Sequence, residues 1–229
     1  MEKYRIAGLT VEMEAFGRTK LQAEPYRIES DAPADFTIEC DAARLLELNP
    51  GMEDLETAYY LGSGVHFYWK LLGREGTYVH SSAVLLDGKA YLFSADSGTG
   101  KSTHTEKWCR LFGARYLNDD KPAVRLVDGV WMAYGTPWSG KNDLSSPECA
   151  PIGGIAFLKR GDHNAIVPME PQAAVKHMMP QTLWKLNRNM MLKQLELTDH
   201  MLRNVPIWEL TCQNNDEAAI LSHRVMTGR

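Results

Sequence analysis

The sequence predicts an α/β fold with a mixed β-sheet and a small strand-rich lobe at its N-terminus. Two Asp-Gly pairs, at 87–88 and 128–129, each separate two β-like runs, and such pairs are typical of two-residue antiparallel hairpins. A third observation is a β-like run at 89–94 that leads through the glycine-rich loop 95–100 into a helical pattern. Hairpins together with a strand–loop–helix unit indicate a sheet that is neither purely parallel nor purely antiparallel.

The composition is that of an ordinary globular chain. The 229 residues carry a formal net charge of −4, with 44% hydrophobic and 24% charged residues, values close to globular averages. The mild acidity argues against nucleic-acid binding, which uses a clearly basic surface. No run approaches the roughly 20 apolar residues of a membrane span, and the N-terminus lacks the basic-then-apolar layout of a signal peptide. We therefore expect a cytoplasmic protein with neither nucleic acid nor a membrane as partner.

We divide the chain into an N-terminal region, 1–74, and a second region, 75–229. In the first, short β-like runs alternate with Gly and Pro, a pattern typical of a small strand-rich lobe. Helical spacing then appears at 42–48 and again in a row of four apolar residues, Val65, Tyr68, Trp69 and Leu72. Because residues at i, i+3, i+4 and i+7 share one face of a helix, we expect this row to be buried in the core.

The second region alternates strands and helices. The hairpin at 82–94 leads into the glycine-rich loop, and the predicted helix 101–112 ends before Gly113, a residue type that commonly follows a helix. A short strand at 114–117 and the second hairpin at 122–135 come next. The C-terminal third predicts a strand at 153–160, helical stretches within 171–204, a strand at 206–212 and a closing helix capped near Asn215.

The strongest chemical signal is the sequence ADSGTGKS at 95–102. Small residues let successive backbone N–H groups turn toward phosphate oxygens, and the helix N-terminus behind them adds partial positive charge. Lys101 is placed to reach the β- and γ-phosphates, and the hydroxyl of Ser102 suits Mg²⁺. The strict pattern GxxxxGK[ST] is missed only at Ala95. The predicted nucleotide ligands are Ser97, Gly98, Thr99, Gly100, Lys101, Ser102 and Thr103; the alternative is a glycine turn with an incidental lysine.

Two carboxylates, Asp119 and Asp120, follow the predicted strand at 114–117. A nucleotide-bound metal needs a carboxylate near the end of a neighbouring strand. Adjacent side chains at a strand end point in different directions, so one carboxylate can meet the metal while the other faces a hydroxyl nucleophile. The alternative is that the Asn-Asp-Asp sequence is a polar turn, which is common between elements.

Three other residues are less specific signals. His80 closes a β-like run just before the first hairpin, and is either part of the site or an ordinary histidine. His104 lies on the predicted helix one turn below the loop, where we expect a solvated face. Lys141 ends the loop 135–141 and either meets a phosphate or substrate acid, or belongs to an ordinary turn.

These features together resemble the HPr kinase/phosphorylase family and its structural relative, ATP-dependent phosphoenolpyruvate carboxykinase. The resemblance covers about 77–141: a histidine before a hairpin, a loop like GxSGxGKS, and a strand that ends in Asp-Asp. It implies the mixed-sheet P-loop core of that type in 75–229, with ATP and Mg²⁺ as cofactors. It also implies that Lys101 binds phosphates, that Ser102 and Asp120 contact Mg²⁺, and that Asp119 is the base and later acid for a substrate hydroxyl. His80 is expected beside the metal-side carboxylate and the γ-phosphate.

The resemblance implies a Mg-ATP-dependent kinase for a Ser or Thr hydroxyl of a protein or peptide. Related kinases assemble into oligomers, so a homo-oligomer is also an expected partner. The sequence departs from HPr kinases in two places: the LEIRGLG-like signature is absent, and Thr103 replaces the usual glutamate after the loop serine. Two alternatives therefore stay open, a nucleotide-binding regulator without phosphoryl transfer and a small carboxykinase-like enzyme.

Overall fold

The computed structural model describes residues 1–183 and 186–229. In the N-terminal region, four strands form a sheet and three helices follow or interrupt them. The strands are β1 (Glu2–Ile6), β2 (Leu9–Met13), β3 (Arg27–Ile28) and β4 (Phe36–Ile38), and the helices are α1 (Gly17–Ala23), α2 (Ala42–Leu48) and α3 (Leu55–Leu72). The strand order is β3-β1-β2-β4, with β1 antiparallel to β2 and β2 parallel to β4.

The second region supplies a nine-stranded sheet and four helices. The strands are β5 (Gly76–Tyr78), β6 (Ser81–Leu86), β7 (Lys89–Ser94), β8 (Arg115–Asn118), β9 (Ala123–Val127), β10 (Val130–Tyr134), β11 (Cys149–Arg160), β12 (Ala165–Pro168) and β13 (Ile207–Cys212). The helices are α4 (Lys101–Phe112), α5 (Pro171–Met178), α6 (Arg188–Asn204) and α7 (Asp216–Thr227).

The large sheet is mixed, as the sequence predicts. Its order is β5-β9-β10-β11-β7-β6-β8, with β13 also paired to β11 and β12 paired to β13. Strand β11 is parallel to β7 and to β13, and the other pairings are antiparallel. The two Asp-Gly hairpins produce the antiparallel pairs β6–β7 and β9–β10, and the other pairs join strands that are further apart in the chain.

Both Asp-Gly turns have the backbone that the sequence predicts. Asp87 and Gly88 have φ of +50° and +74°, and Asp128 and Gly129 have φ of +49° and +80°. Positive φ at both central residues is the type I′ geometry, whose twist matches that of the flanking strands. These turns therefore align β6 with β7, and β9 with β10.

One apolar core joins the N-terminal sheet, α3 and the large sheet. Its buried members include Tyr4 from β1 and Phe67 from α3. Phe67 stacks on Trp138 with ring centroids 4.9 Å apart, and Tyr68 meets Tyr78 edge to face at 4.8 Å. Residues from both regions of the chain thus share this core. Within the described part of the chain, no helix is long and apolar enough to cross a membrane.

The predicted apolar face of α3 is partly wrong. Tyr68 and Leu72 are buried, but Val65 and Trp69 are 43% and 39% exposed. The buried stripe is centred on Phe67, one residue before Tyr68. Because α3 carries large apolar residues around most of its circumference, their spacing does not show which side faces the core.

The solvated face predicted for His104 is also wrong. His104 is buried, with its Nε2 2.9 Å from Ser222 Oγ of α7 and its ring against Phe93 of β7. Burial, with a smaller contribution from Lys107, lowers the pKa of His104 to about 4. The cause is the packing of α7 on α4, which the local sequence of α4 does not reveal.

Candidate active site

The strand order brings three predicted site segments to one edge of the large sheet. Strand β6 lies between β7 and β8 and is antiparallel to both, so β7 and β8 run in the same direction. The glycine-rich loop follows β7, the carboxylates at 119–120 follow β8, and His80 directly precedes β6. Ligands of α/β proteins commonly bind beyond the carboxyl ends of strands.

The loop between β7 and α4 has the backbone of an anion cradle. Gly98 and Gly100 have φ of +77° and +117°, which favours glycine, and an added Cβ at either position would meet no neighbouring atom. Gly100 O accepts the first helical hydrogen bond, from His104 N at 3.0 Å. Among the described residues, no group accepts from the backbone N–H of Ser97, Gly98, Gly100 or Lys101. Such N–H groups at a helix start suit a phosphate.

Lys101 lies inside this edge. Its Nζ donates to Ala95 O at 2.9 Å. Burial lowers the pKa of Lys101, while the charges of Asp120, Asp119 and Asp96 act in the opposite direction. The ammonium group is therefore close enough to sense both carboxylates of the Asp-Asp pair, and a bound phosphate would add a further negative partner.

Ser102 and Thr103 open α4, and neither hydroxyl has a hydrogen-bond partner among residues 1–183 and 186–229. Hydroxyl and carboxylate oxygens are ligands of the kind that Mg²⁺ accepts. In the same residues, no group of three or more His, Cys, Asp or Glu side chains is arranged to hold a metal. These few oxygens suit an Mg²⁺ that takes its other ligands from phosphate oxygens and water, as nucleotide-bound Mg²⁺ usually does.

Asp119 is tied to helix α4. It is 8% exposed; its Oδ1 accepts from Ser82 Oγ, and its Oδ2 accepts from Asn142 Nδ2 at 3.0 Å. Ser82 Oγ also lies 2.8 Å from Thr105 Oγ1 of α4. Both carboxylate oxygens of Asp119 are thus engaged, and one of them is linked through a hydroxyl to the helix that follows the loop.

Asp120 has a different environment. Its Oδ1 lies 3.1 Å from His80 Nε2, and its Oδ2 contacts Lys121 Nζ. Burial opposes ionisation, but the hydrogen bonds and charges of His80 and Lys121 outweigh it and lower the pKa of Asp120 to about 2. His80 is fixed from its other side, where Nδ1 lies 3.0 Å from Gln181 Oε1. Asp120 is therefore ionised at neutral pH.

Asn118 shapes the turn that carries both carboxylates. Its Oδ1 accepts from the backbone N–H of Asp120 at 2.9 Å and of Lys121 at 2.7 Å, and its Nδ2 donates to Thr136 O at 3.0 Å. The Asn-Asp-Asp sequence is thus a polar turn, which was one of the two predicted alternatives. The same turn carries both carboxylates at the edge of the sheet where the glycine-rich loop lies. The two interpretations are compatible.

Asp120 lines an open polar cleft of about 370 Å³, together with Arg18, Tyr60, Lys121 and Lys141. We call this the polar cleft. The backbone of Gly140, which also lines the cleft, lies close to Asp120. Gly140 has a φ of +80°, and a Cβ there would lie 2.8 Å from Asp120 Cβ. Gly140 N donates to Tyr60 OH at 3.1 Å. Asp119 does not line this cleft.

The loop before β11 is held by the N-terminal region. Arg18 donates to Gly140 O, pairs with Asp143, and lies over the ring of Tyr60 with its Cζ 4.5 Å from the centroid. The same loop carries Asn142, the partner of Asp119. The N-terminal region therefore contributes to the arrangement of the carboxylates.

Sequence reasoning missed several residues at this edge: Arg18, Ser82, Asn142, Arg160 and Gln181. Arg160 closes β11, and its guanidinium donates to Gly98 O and Thr99 O of the loop. The available signal was its position at the carboxyl end of a predicted strand. Gln181 contacts His80 and also Asp96, at 3.4 Å. No local motif marks Gln181.

Comparisons with known proteins add little. No family model matches the chain, and no curated protein matches its sequence. The structure is similar to that of the Hpr(Ser) kinase/phosphatase from Coxiella burnetii, with a TM-score of 0.39 and 8% identity over 66% of this chain and 88% of that chain. A likeness of this size is a distant one of fold at most.

Proposed function

We propose that the protein is a Mg-ATP-dependent kinase that transfers the γ-phosphate to a Ser or Thr hydroxyl of a protein or peptide. The observation that carries this is one sheet edge at which an anion cradle, Lys101, two carboxylates and His80 meet. Phosphoryl transfer depends mainly on positioning and charge neutralisation. A phosphate cradle beside two carboxylates supplies both, in a core of the mixed-sheet P-loop type.

The free backbone N–H groups of the loop and the ammonium of Lys101 bind the phosphates. Arg160 holds the loop carbonyls from outside and adds positive charge at the cradle. Mg²⁺, when bound, neutralises phosphate charge, and Ser102 with one carboxylate would hold it. Arginine, lysine and N–H donors around phosphate oxygens stabilise the charge that spreads over them during transfer.

We assign the two carboxylates differently from the resemblance. Asp120 takes the acceptor side because it lines the polar cleft, and Asp119 takes the metal side because Ser82 ties it to α4. In the reaction the new O–P bond forms as the bond to the leaving nucleoside diphosphate breaks. The hydroxyl proton passes to Asp120 and then to solvent. A carboxylate with a pKa of about 2 is a weak base, so Asp120 acts mainly by orienting the hydroxyl.

The first experiment incubates the purified protein with γ-labelled Mg-ATP and an extract of its host. We expect a labelled protein or peptide that disappears with Lys101→Ala and with Asp120→Asn. Asp120→Asn should bind Mg-ATP as wild type does. Asp119→Asn removes the proposed metal-side carboxylate, so Mg²⁺ should strengthen ATP binding less in this variant than in wild type. Asp31→Asn, which changes an exposed carboxylate of the N-terminal region, is the matched control.

Three outcomes contradict parts of this proposal. If Asp119→Asn stops transfer but leaves Mg-ATP binding intact, the roles of the two carboxylates are the reverse. If nucleotide binds wild type and both Asp→Asn variants equally and no label appears, the protein is a nucleotide-binding regulator. If ATP is consumed only when oxaloacetate is added, the carboxykinase-like alternative replaces the kinase.

A further inference from the structure

A large apolar groove lies beside α3. It has a volume of about 860 Å³, and side chains from α2, α3 and the segments around them line it. Its apolar members include Leu45, Met52, Val65, Trp69 and Trp138. Pockets of roughly 300–1,000 Å³ with mostly apolar walls are the usual size for binding a ligand. We call it the apolar groove.

The apolar groove adjoins the polar cleft. Tyr60, Leu61 and Lys121 line both of them. Lys121 contacts the carboxylate of Asp120, the group that we propose orients the acceptor hydroxyl. A molecule that lies in the apolar groove is therefore next to the cleft in which we propose that the hydroxyl binds.

The exposed row along α3 indicates the length of the occupant. Leu61, Val65 and Trp69 are each about two-fifths exposed and recur every four residues. The row extends about 12 Å along the helix axis at the rise of an α-helix. An extended peptide advances about 3.3 Å per residue, so roughly four residues match this length. Apolar side chains that adjoin one another on a surface often mark a site for a binding partner.

Charge at the groove adds a second requirement. Glu39 and Asp41 are among its lining residues, and in the described ranges neither forms an ion pair, although Asp41 Oδ1 accepts from Arg44 N at 2.9 Å. Arg44 also lines the groove, and its guanidinium is paired with Glu47 at 3.0 Å. Glu39 lies against His66 of α3, whose Nδ1 is 2.6 Å from Glu39 O. His66 follows Leu61 by five residues, about 7 Å along the axis of α3, so the backbone of Glu39 lies beyond the Leu61 part of the shared wall.

We propose that the apolar groove binds the peptide segment next to the phosphorylated residue of the acceptor. The segment is extended, about four residues long by the rise given above. It carries large apolar side chains next to the hydroxyl-bearing residue and a basic side chain at its far end. This inference rests on the proposed kinase function, because it identifies the acceptor of that same site. The apolar groove thus selects for a short peptide motif beside the hydroxyl.

The test uses synthetic fluorescein-labelled peptides that contain Ser, then Leu-Phe-Leu, then Lys, made in both chain directions. Matched peptides replace Leu-Phe-Leu by Gly-Asn-Gly, or Lys by Glu. Binding is measured by fluorescence anisotropy without nucleotide. We expect one direction to bind at least about tenfold more tightly than its Gly-Asn-Gly match, since large apolar side chains leave water.

Variants locate the binding on the groove. Val65→Ser and Trp69→Ala change exposed groove residues and should weaken binding of the apolar peptide by about fivefold or more. Glu39→Gln should reduce the preference for Lys over Glu. Leu192→Ser, on the exposed face of α6, is the matched control and should leave binding unchanged. Thermal unfolding of each variant checks that it is folded.

The binding readout is independent of phosphoryl transfer, so the two proposals fail separately. If the peptide binds as expected but neither it nor any host protein is labelled, the groove binds an apolar peptide and the kinase proposal fails. If host extract is labelled but the apolar peptide binds no better than its match, the groove proposal is overturned. It is also overturned if Val65→Ser converts a dimer to a monomer in sedimentation and leaves peptide binding unchanged, because the groove is then an interface between copies.

Discussion

Helices α3 and α4 show opposite departures from their sequence patterns. On α4, His104 lies one turn below a polar loop and is nevertheless buried, because α7 packs over it. On α3, Val65 and Trp69 belong to an apolar row and are nevertheless exposed, because no described element packs on that side. The difference shows that a helix pattern predicts which faces can be buried, whereas neighbouring elements determine which faces are buried.

The two tryptophans of these helices test the comparison with the largest expected effect. Trp108→Ala removes a fully buried side chain whose Nε1 donates to Ser222 Oγ at 3.0 Å, and should lower the free energy of unfolding by about 3–5 kcal/mol. Trp69→Ala removes a partly exposed side chain and should lower it by about 1 kcal/mol or less. Urea unfolding measures both. Similar losses would show that the α3 face is as closely packed as α4.

The pH dependence of stability tests only one half of this comparison, the burial of His104 on α4. The pKa of His104 is lowered from 6.5 to about 4 by burial and by Lys107. Between these values the unfolded chain binds more protons than the folded one, so stability falls as pH falls. Across the whole window the loss is at most roughly 3 kcal/mol. Urea unfolding at several pH values should show a clear slope for wild type and a smaller one for His104→Gln.

Two features keep this measurement interpretable. The carboxyl of Asp120 has a pKa of about 2 in the folded protein and 3.8 as its ordinary value. Its contribution to stability is present above 3.8 and is lost only below that pH, outside the histidine window. His163→Gln, at an exposed position, is the matched variant. An equal slope in wild type and His104→Gln would contradict the account of His104.

A smaller loss of stability is expected from a substitution at Gly140, whose backbone N–H donates to Tyr60 OH of α3. Gly140→Ala and Gly129→Ala both place a side chain at a φ of +80°, but only at Gly140 would the Cβ lie 2.8 Å from Asp120 Cβ. We expect Gly140→Ala to lower the free energy of unfolding by about 1 kcal/mol more than Gly129→Ala. Phosphate transfer should fall only for Gly140→Ala. Equal effects of both substitutions would show that backbone strain alone matters at these turns.

The smallest effect is expected on the exposed row itself. Val65→Ser and Leu192→Ser should each change the free energy of unfolding by about 0.5 kcal/mol or less, because both side chains are exposed on helices. Urea unfolding measures this change. A large loss for Val65→Ser would show that the row is structural and not a binding surface.

Local chemistry explains the elements that could be predicted. Both Asp-Gly hairpins follow from residues that tolerate positive φ. The limits of α4 follow from Gly100 and Gly113, at φ of +117° and +70°, and the start of α7 follows from Asn215, whose side chain accepts from Ala218 N. Strand β12 was not predicted, since it is only four residues long and depends on pairing with the distant strand β13.

The candidate site also contains residues that could be predicted from the sequence and residues that could not. The loop at 95–102 and the carboxylates at 119–120 are adjacent in sequence to the elements that carry them, so spacing could predict them. The partners of those groups come from far along the chain: Asn142 for Asp119, Gln181 for His80, and Arg160 for the loop. Such contacts follow from strand order, which local spacing does not encode.

By itself, the sequence determined the mixed α/β class, the two hairpin turns, the helix after the glycine-rich loop, and a phosphate-binding hypothesis with its carboxylates. These depend on backbone preferences and on residues that are neighbours in the chain. The tertiary structure alone decided that α7 buries His104, that Asp120 and not Asp119 lines the polar cleft, and that the apolar row of α3 borders a groove. Burial and side-chain contact depend on which distant elements pack together, because apolar surface is removed from water only when a second surface covers it.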